Sequence, residues 1–207
     1  MAALFIVCNK MNVAMSVDFK IRPAVETEVP LLRELIEASV RQLQAHDYSP
    51  RQREAALRTV FGVDSQLIAD GTYLVAEAVS ALPEPGDHGP RAVVAGCGGW
   101  SKRKTLYGGD RWHERQDDLL DPRVDAAKIR AFFIHPDWAR QGVGTRILDA
   151  CEAAAAAAGF TSFEMGATLT GAKLFGERGY VPLERIELPL EEGVTLPIIH
   201  MRKVIQR

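Results

Sequence analysis

With 207 residues, 47% hydrophobic and 25% charged, the chain has the make-up of one well-buried globular domain rather than of a disordered or fibrous protein. A formal net charge of −2 signals neither nucleic acid nor an anionic membrane surface as a partner. Its three cysteines, Cys8, Cys97 and Cys151, lack metal-type spacing and leave one unpaired, which fits a reducing compartment, a cytoplasmic location and no metal.

Residues 1–17 read as an N-terminal extension. Their apolar start is broken by Asn9, Lys10 and Asn12, no basic segment precedes it, and it is too short to span a bilayer. Met11 and Met15 are equally natural starts, and a single domain is expected over 18–207. Phe19–Arg22 alternates apolar and basic residues as a half-buried strand does, ended by Pro23. Thr27 is the expected cap of a first helix, with Pro30 in its first turn and an apolar face through Leu32, Leu35, Ile36 and Val40 to Leu43. Ser49-Pro50-Arg51-Gln52 is a capping box that opens a second helix, followed by Leu57, Val60 and Phe61.

Two strands are expected at Thr72–Val79 and Ala92–Trp100, joined by a Pro/Gly-rich loop. In the second, Gly96, Gly98 and Gly99 flank Cys97 and suggest a bulge or a close approach by ligand or neighbouring backbone. Ser101–Asp125 has no periodicity and carries the cluster Lys102-Arg103-Lys104, which reads either as a solvated face or as part of a pocket.

Ile129–Ile134 is a short apolar run closed by Pro136, the pattern of a buried strand. From Ile147 the residues Leu148, Cys151, Ala154, Ala155 and Ala158 mark one face of a helix that starts near Gly144 and ends at Gly159. Between strand and helix lies Arg140-Gln141-Gly142-Val143-Gly144-Thr145. Glycines at a helix mouth remove the Cβ atoms that would hold a ligand off, and the first-turn amides have no intrahelical partner. With Arg140 and Arg146 beside them, they suit a pyrophosphate. A plain strand-to-helix turn is the bland alternative. A dinucleotide fold with Glu164 as ribose-binding acid is the sharper one, but His135–Gln141 separate strand and first glycine, and Ile147 holds the third glycine position.

Thr161–Met165 reads as the strand completing a right-handed parallel crossover. The run Ala167–Tyr180 follows, ending in Gly179-Tyr180. Ile186–Leu190 and Leu196–Val204 form a terminal hairpin around a Glu-Gly tip, with Pro189 and Pro197 at edges or strand ends. No G-x-S-x-G, H-E-x-x-H or paired C-x-x-C occurs, so neither a covalent intermediate nor a metal is expected.

The run Ile134-His135-Pro136-Asp137-Trp138, continued by Arg140-Gln141-Gly142-Val143-Gly144-Thr145, resembles the acetyl-CoA motif of the GNAT superfamily of N-acetyltransferases. Ala167–Tyr180 resembles that family's second signature. The resemblance implies an α/β (α+β) fold: a mixed, mostly antiparallel sheet splayed around a parallel strand pair, with helices on both faces. It implies acetyl-CoA as co-substrate, its pyrophosphate held by the amides of Arg140, Gln141, Gly142, Val143, Gly144 and Thr145. Its pantetheine arm would pair with Phe132, Phe133 and Ile134. Direct acetyl transfer to a small-molecule or peptide amine follows from the same likeness, and a homodimer is compatible with it.

The likeness also makes His46 and Tyr48, between the first two helices, and Trp100, Tyr107 and Trp112 candidate acceptor-pocket residues. Thr168 and Thr170 stand where relatives often carry a cofactor-contacting Asn. Glu164, on the strand after the cofactor helix, is the candidate base. Two positions depart from the pattern: Ala139 replaces a frequent Gln or Arg, and Phe175 stands where many relatives carry a Tyr thought to protonate the leaving thiolate. A phenyl ring has no proton to give. That departure motivates a second reading, an acetyl-CoA-binding module of the same fold without useful turnover.

Overall fold

The computed structural model describes residues 18–79 and 92–205, so the N-terminal extension 1–17 and the Pro/Gly-rich joint at 80–91 lie outside the described residues. Alternating burial makes β1 (Phe19–Pro23) a half-buried edge strand paired antiparallel with β2 (Tyr73–Val79). α1 (Val29–Leu43) buries Leu32, Leu35, Ile36 and Val40, the expected face. Its start differs from expectation. Thr27 lies in a 3-10 turn over Glu26–Glu28, and Glu28 takes the N-cap position without a side-chain cap bond. The Glu28 carboxylate is held instead by Val25 N–H at 2.9 Å and Arg22 at 2.6 Å.

α2 (Pro50–Thr59) opens with the reciprocal Ser49–Gln52 capping box that its sequence announces. A five-residue helix with no strong sequence signal, α3 (Ser65–Ala69), is capped by Asp64. β3 (Ala92–Ser101) and β4 (Ala127–Ile134) continue the antiparallel sheet. α4 (Val143–Ala157) buries Ile147, Leu148, Cys151 and Ala155, and Gly159 takes the left-handed conformation, φ +96, that ends it. β5 (Ser162–Thr168), α5 (Leu169–Glu177), β6 (Val181–Pro189) and β7 (Thr195–Val204) complete the chain.

The seven strands run in the order β1-β2-β3-β4-β5-β7-β6, and β4–β5 is the parallel pair. α4 and α5 pack on one face of this mixed sheet against Ala76, Ala78, Phe163 and Met165; α1 packs on the other against Tyr73, Val75, Cys97 and Phe133. The period-2 alternation of β2 supplies both layers. β6 is the edge strand predicted by Pro189 and starts five residues earlier than its sequence pattern suggests. Pro197 lies one residue before the β5–β7 ladder, which begins at Thr168↔Ile198, so its missing N–H costs no bond to β5.

Tyr48 ties these layers together. It is 3% exposed, its hydroxyl donates to Pro197 O at 2.8 Å and accepts from Leu169 N–H at 2.8 Å, and its ring packs with Val60, Leu188 and Ile198. Tyr48→Phe leaves a buried carbonyl and a helix-opening amide without their partner, which is expected to cost about 1–3 kcal/mol in urea unfolding; an unchanged midpoint would show that water replaces the hydroxyl.

Candidate active site

β4 and β5 pair over only two positions, Ala127↔Phe163 and Lys128↔Glu164, and then separate. β4 stays with β3 through Ile134, while β5 stays with β7 through Thr168. The strands open into a cleft of about 420 Å³, lined by Ile129–Ile134 of β4, Met165–Thr168 of β5 and the start of α4. Beyond Lys128, the β4 backbone groups that would face β5 lose their ladder, as at a sheet edge.

A bulge shapes the β4 wall. Pairing runs Cys97↔Phe133 and then Gly99↔Arg130, so Ala131 and Phe132 together face Gly98. Ala131 takes φ +54, a conformation costing about 1–2 kcal/mol for a residue with a Cβ, and its carbonyl accepts from Tyr73 OH at 3.3 Å. The sequence's glycine cluster is explained here. A Cβ on Gly98 would lie 2.5 Å from the Phe132 ring, and one on Gly96 would lie 2.8 Å from Ile134 Cδ1. Both glycines accept neighbouring side chains of the cleft wall.

At the closed end of β4, His135–Trp138 forms a 3-10 turn; Arg140, φ +64, and Gly142, φ +83, then bend the chain into α4. Arg146 N–H is the first amide of α4 to reach a backbone acceptor, Gly142 O at 3.1 Å; the amides before it open the helix without an intrahelical partner. A Cβ on Gly142 would meet nothing within 4 Å, whereas one on Gly144 would lie 2.9 Å from Leu174 of α5. The helix mouth therefore faces open space on one side and α5 on the other, a fit for a bulky anion.

Of the expected cofactor-binding residues, Phe132, Phe133, Ile134, Arg140, Gly142, Val143, Gly144 and Thr145 line the cleft. Gln141 does not; its side chain donates to Asp137 O at 3.0 Å. Thr168 and Thr170 also line it. Thr168 caps α5 through Gly171 N–H at 3.1 Å, and Thr170 donates to Asp47 Oδ2 at 2.6 Å. Phe175 closes the wall edge-to-face with Phe132 at 5.8 Å and with Tyr180 at 6.0 Å, and Tyr180 is a core residue, as its Gly-aromatic position implies.

Several candidates are elsewhere. Glu164 does not line the cleft: Lys128 Nζ is 2.6 Å away, with His200 at 3.5 Å and Arg202 at 3.8 Å. Burial pushes its carboxyl up, but the Lys128 hydrogen bond and the surrounding positive charge outweigh that and leave it below the usual range. A carboxylate so held is a weak proton acceptor. Tyr48 is the clamp described above, and His46 is exposed. Among the three aromatic candidates, Tyr107 lines the cleft, while Trp100 packs on Phe160 and Trp112 on Tyr107. In the basic cluster, Arg103 pairs with Asp70 at 2.8 Å and Lys104 with Asp118 at 3.3 Å. Cys97 is fully buried, receiving Tyr73 OH at 3.3 Å, and burial raises its thiol to about 12, which leaves it inert.

A buried ion cluster escaped the sequence reading. Arg130, its side chain 2% exposed, lies 2.6 Å from fully buried Asp64 and donates to Gly108 O; Arg115 approaches Asp64 at 3.1 Å. The lone charge within Ile129–Ile134 was its only signal, because Asp64 is 66 positions away from Arg130 in sequence and its pairing depends on the fold.

Among the described residues, no group of His, Cys, Asp and Glu could hold a metal, and no helix is long and apolar enough to cross a membrane. Residues 122–204 match the family model described as acetyltransferase (GNAT) domain. No curated protein matches the chain. Among solved structures, a GCN5-related N-acetyltransferase from Rhodopseudomonas palustris shares 25% identity over 92% of this chain and 99% of its own, with a TM-score of 0.62. The PaiA N-acetyltransferase of Thermoplasma acidophilum, in complex with coenzyme A, shares 12% identity over 90% and 99%, TM-score 0.56. YncA of Salmonella typhimurium, with its cofactor acetyl-CoA, shares 15% over 92% and 95%, TM-score 0.54. Residues 122–204 thus resemble a GNAT acetyltransferase domain, and the fold of the chain is shared with solved GCN5-related N-acetyltransferases.

Proposed function

We propose that this protein is a cytoplasmic N-acetyltransferase that moves an acetyl group from acetyl-CoA to an amine by direct attack in a ternary complex, with one domain over 18–207. The observation that carries the reading is the opening of α4's unpartnered amides into the gap between β4 and β5. Two proteins of this fold hold coenzyme A or acetyl-CoA, which supports the same ligand here. The amides of Arg140–Thr145 receive the pyrophosphate, aided by the positive helix end. The backbone of Phe132, Phe133 and Ile134 takes the pantetheine arm as an added strand.

When bound, acetyl-CoA supplies an acyl thioester. The chain's part is to hold an amine nitrogen near the carbonyl, offer a β4 amide to the developing oxyanion, and present the apolar Phe132–Phe175 wall beside the thioester. Among the described residues neither histidine nor aspartate lines the cleft, and the lining carboxylate Glu177 lies toward the helix mouth, so the amine enters neutral and its proton leaves through water. Glu164 is better read as a structural anion.

Three substitutions test this account. Gly142→Asp sets a carboxylate at the anion cradle and is expected to raise the acetyl-CoA Kd at least about tenfold, about 1.4 kcal/mol; unaltered calorimetric affinity would place the pyrophosphate elsewhere.

Glu164→Gln is expected to lower kcat by less than about tenfold, against the about 100-fold or more that a lost general base costs. A larger loss in a folded variant would restore Glu164 as the base.

Phe175 also motivates the second reading, a binding module without turnover. A thiol leaves far more readily than an alcohol, so Phe175→Tyr is expected to raise kcat well below the about 100-fold that general acids commonly supply. Acetyl-CoA-dependent thermal stabilisation with no thiol release from any amine would favour the module.

A further inference from the structure

The half of the cleft away from α4 shows what kind of amine it suits. Its walls are Leu43 of α1, Val60 and Phe61 after α2, and Leu188, Leu196 and Ile198 of the β6–β7 hairpin. Among the described residues, three charged ones line the cleft: Arg130, Arg140 and Glu177. Arg140 belongs to the turn before α4. Glu177 ends α5 three residues past Leu174, which packs at Gly144, so both lie toward the helix mouth. The acceptor half is left with one charge, and it is positive.

Arg130 lends no anion to that half. Its buried partner Asp64 is already shared between two guanidinium groups. An ammonium entering here would shed its water against apolar walls and find no unpaired carboxylate in that half of the described lining, whereas a neutral amine loses far less. Each further ammonium repeats that cost with no lining carboxylate to offset it. One polar group invites an N–H: Gln44, 5% exposed and lining the cleft, has its side-chain oxygen buried without a hydrogen-bond partner among the described residues. The volume, about 420 Å³ in all, also has to admit the acyl arm, which limits the acceptor to a compact body.

Resting on the acetyl-CoA reading above, we propose that this half of the cleft takes a compact primary monoamine with an apolar or aromatic body, its N–H received by Gln44, and turns away polyamines, aminoglycosides and lysine-rich peptides. In the transfer, the N–C bond forms as the C–S bond breaks. The nitrogen gives up one proton to water, and the coenzyme leaves as its thiolate.

The test is thiol release by the full chain with 2-phenylethylamine, cyclohexylmethylamine, spermidine, kanamycin and a lysine-containing peptide, beside calorimetry with acetyl-CoA. The expected result is a kcat/KM at least about tenfold higher for the two apolar monoamines than for any polycation. Leu43→Glu is expected to move the ratio of spermidine to phenylethylamine at least about tenfold toward spermidine, by adding the missing carboxylate. A wild-type preference for a polycation, a ratio that Leu43→Glu leaves in place, or acetyl-CoA binding with no turnover of either monoamine overturns the proposal. Absence of heat with acetyl-CoA instead overturns the reading beneath it.

Discussion

The separation of β4 from β5 after two paired positions is the constraint on which the site depends. A buried strand cannot leave its amides and carbonyls unpaired without a cost comparable to lost hydrogen bonds. Each strand resolves this differently. β5 turns to β7 and is paired along its whole length, whereas β4 keeps β3 on one side and exposes its other side to the cleft. The gap is therefore a built acceptor of extended backbone. The bulge at Ala131 and Phe132 adds to it by changing the direction of the β4 backbone inside the cleft, at the expense of a left-handed alanine.

Charge is distributed to suit that gap. The strongly paired carboxylates lie outside its lining: Glu164 with Lys128 and Arg202, Asp64 with Arg130 and Arg115, Glu152 with Lys203. Breaking such a buried pair by removing one member costs more than the pair itself contributes, so these clusters fix the strands that carry them. Arg130 links the two roles. It sits one residue before the bulge and reaches Asp64 at the cap of α3 and Gly108 in the loop that covers the cleft.

Much of this was legible in the chain and some was not, for physical reasons. Local patterns carried the elements: the Ser49–Gln52 box, the apolar face of α4 and the left-handed Gly159 each depend on residues within a few positions. The strand-to-helix turn was legible because Gly142 and Gly144 stand just before an apolar helical face. Roles decided by distant partners were not. Tyr48 looked like a loop residue over the acceptor, but its fate is set by Pro197 and Leu169, more than a hundred positions away. Glu164 was a candidate base for its strand, and the contacts with Lys128 and His200 on the flanking strands, which bear on that role, are set by the fold. α3 was missed because five residues hold too little periodicity to rise above loop composition.

Phe175 and the charge pattern of the cleft agree with one another. An enzyme that must deprotonate an ammonium and protonate a poor leaving group needs two placed acids or bases; among the described residues the lining holds no histidine or aspartate, and Glu177 lies toward the helix mouth. A neutral amine and a thioester need less, because the amine lone pair is already free and a thiolate is a far more stable leaving group than an alkoxide. What remains is alignment, for which effective molarities of about 10⁵ M or more are available to well-oriented reactants. The apolar wall of Phe132, Phe175 and Leu174 supplies that alignment while lowering the stability of any ammonium beside it. On the proposed reading, the phenyl ring of Phe175 and the apolar acceptor half belong to one chemical solution, in which the cleft selects the protonation state of its substrate in place of changing it.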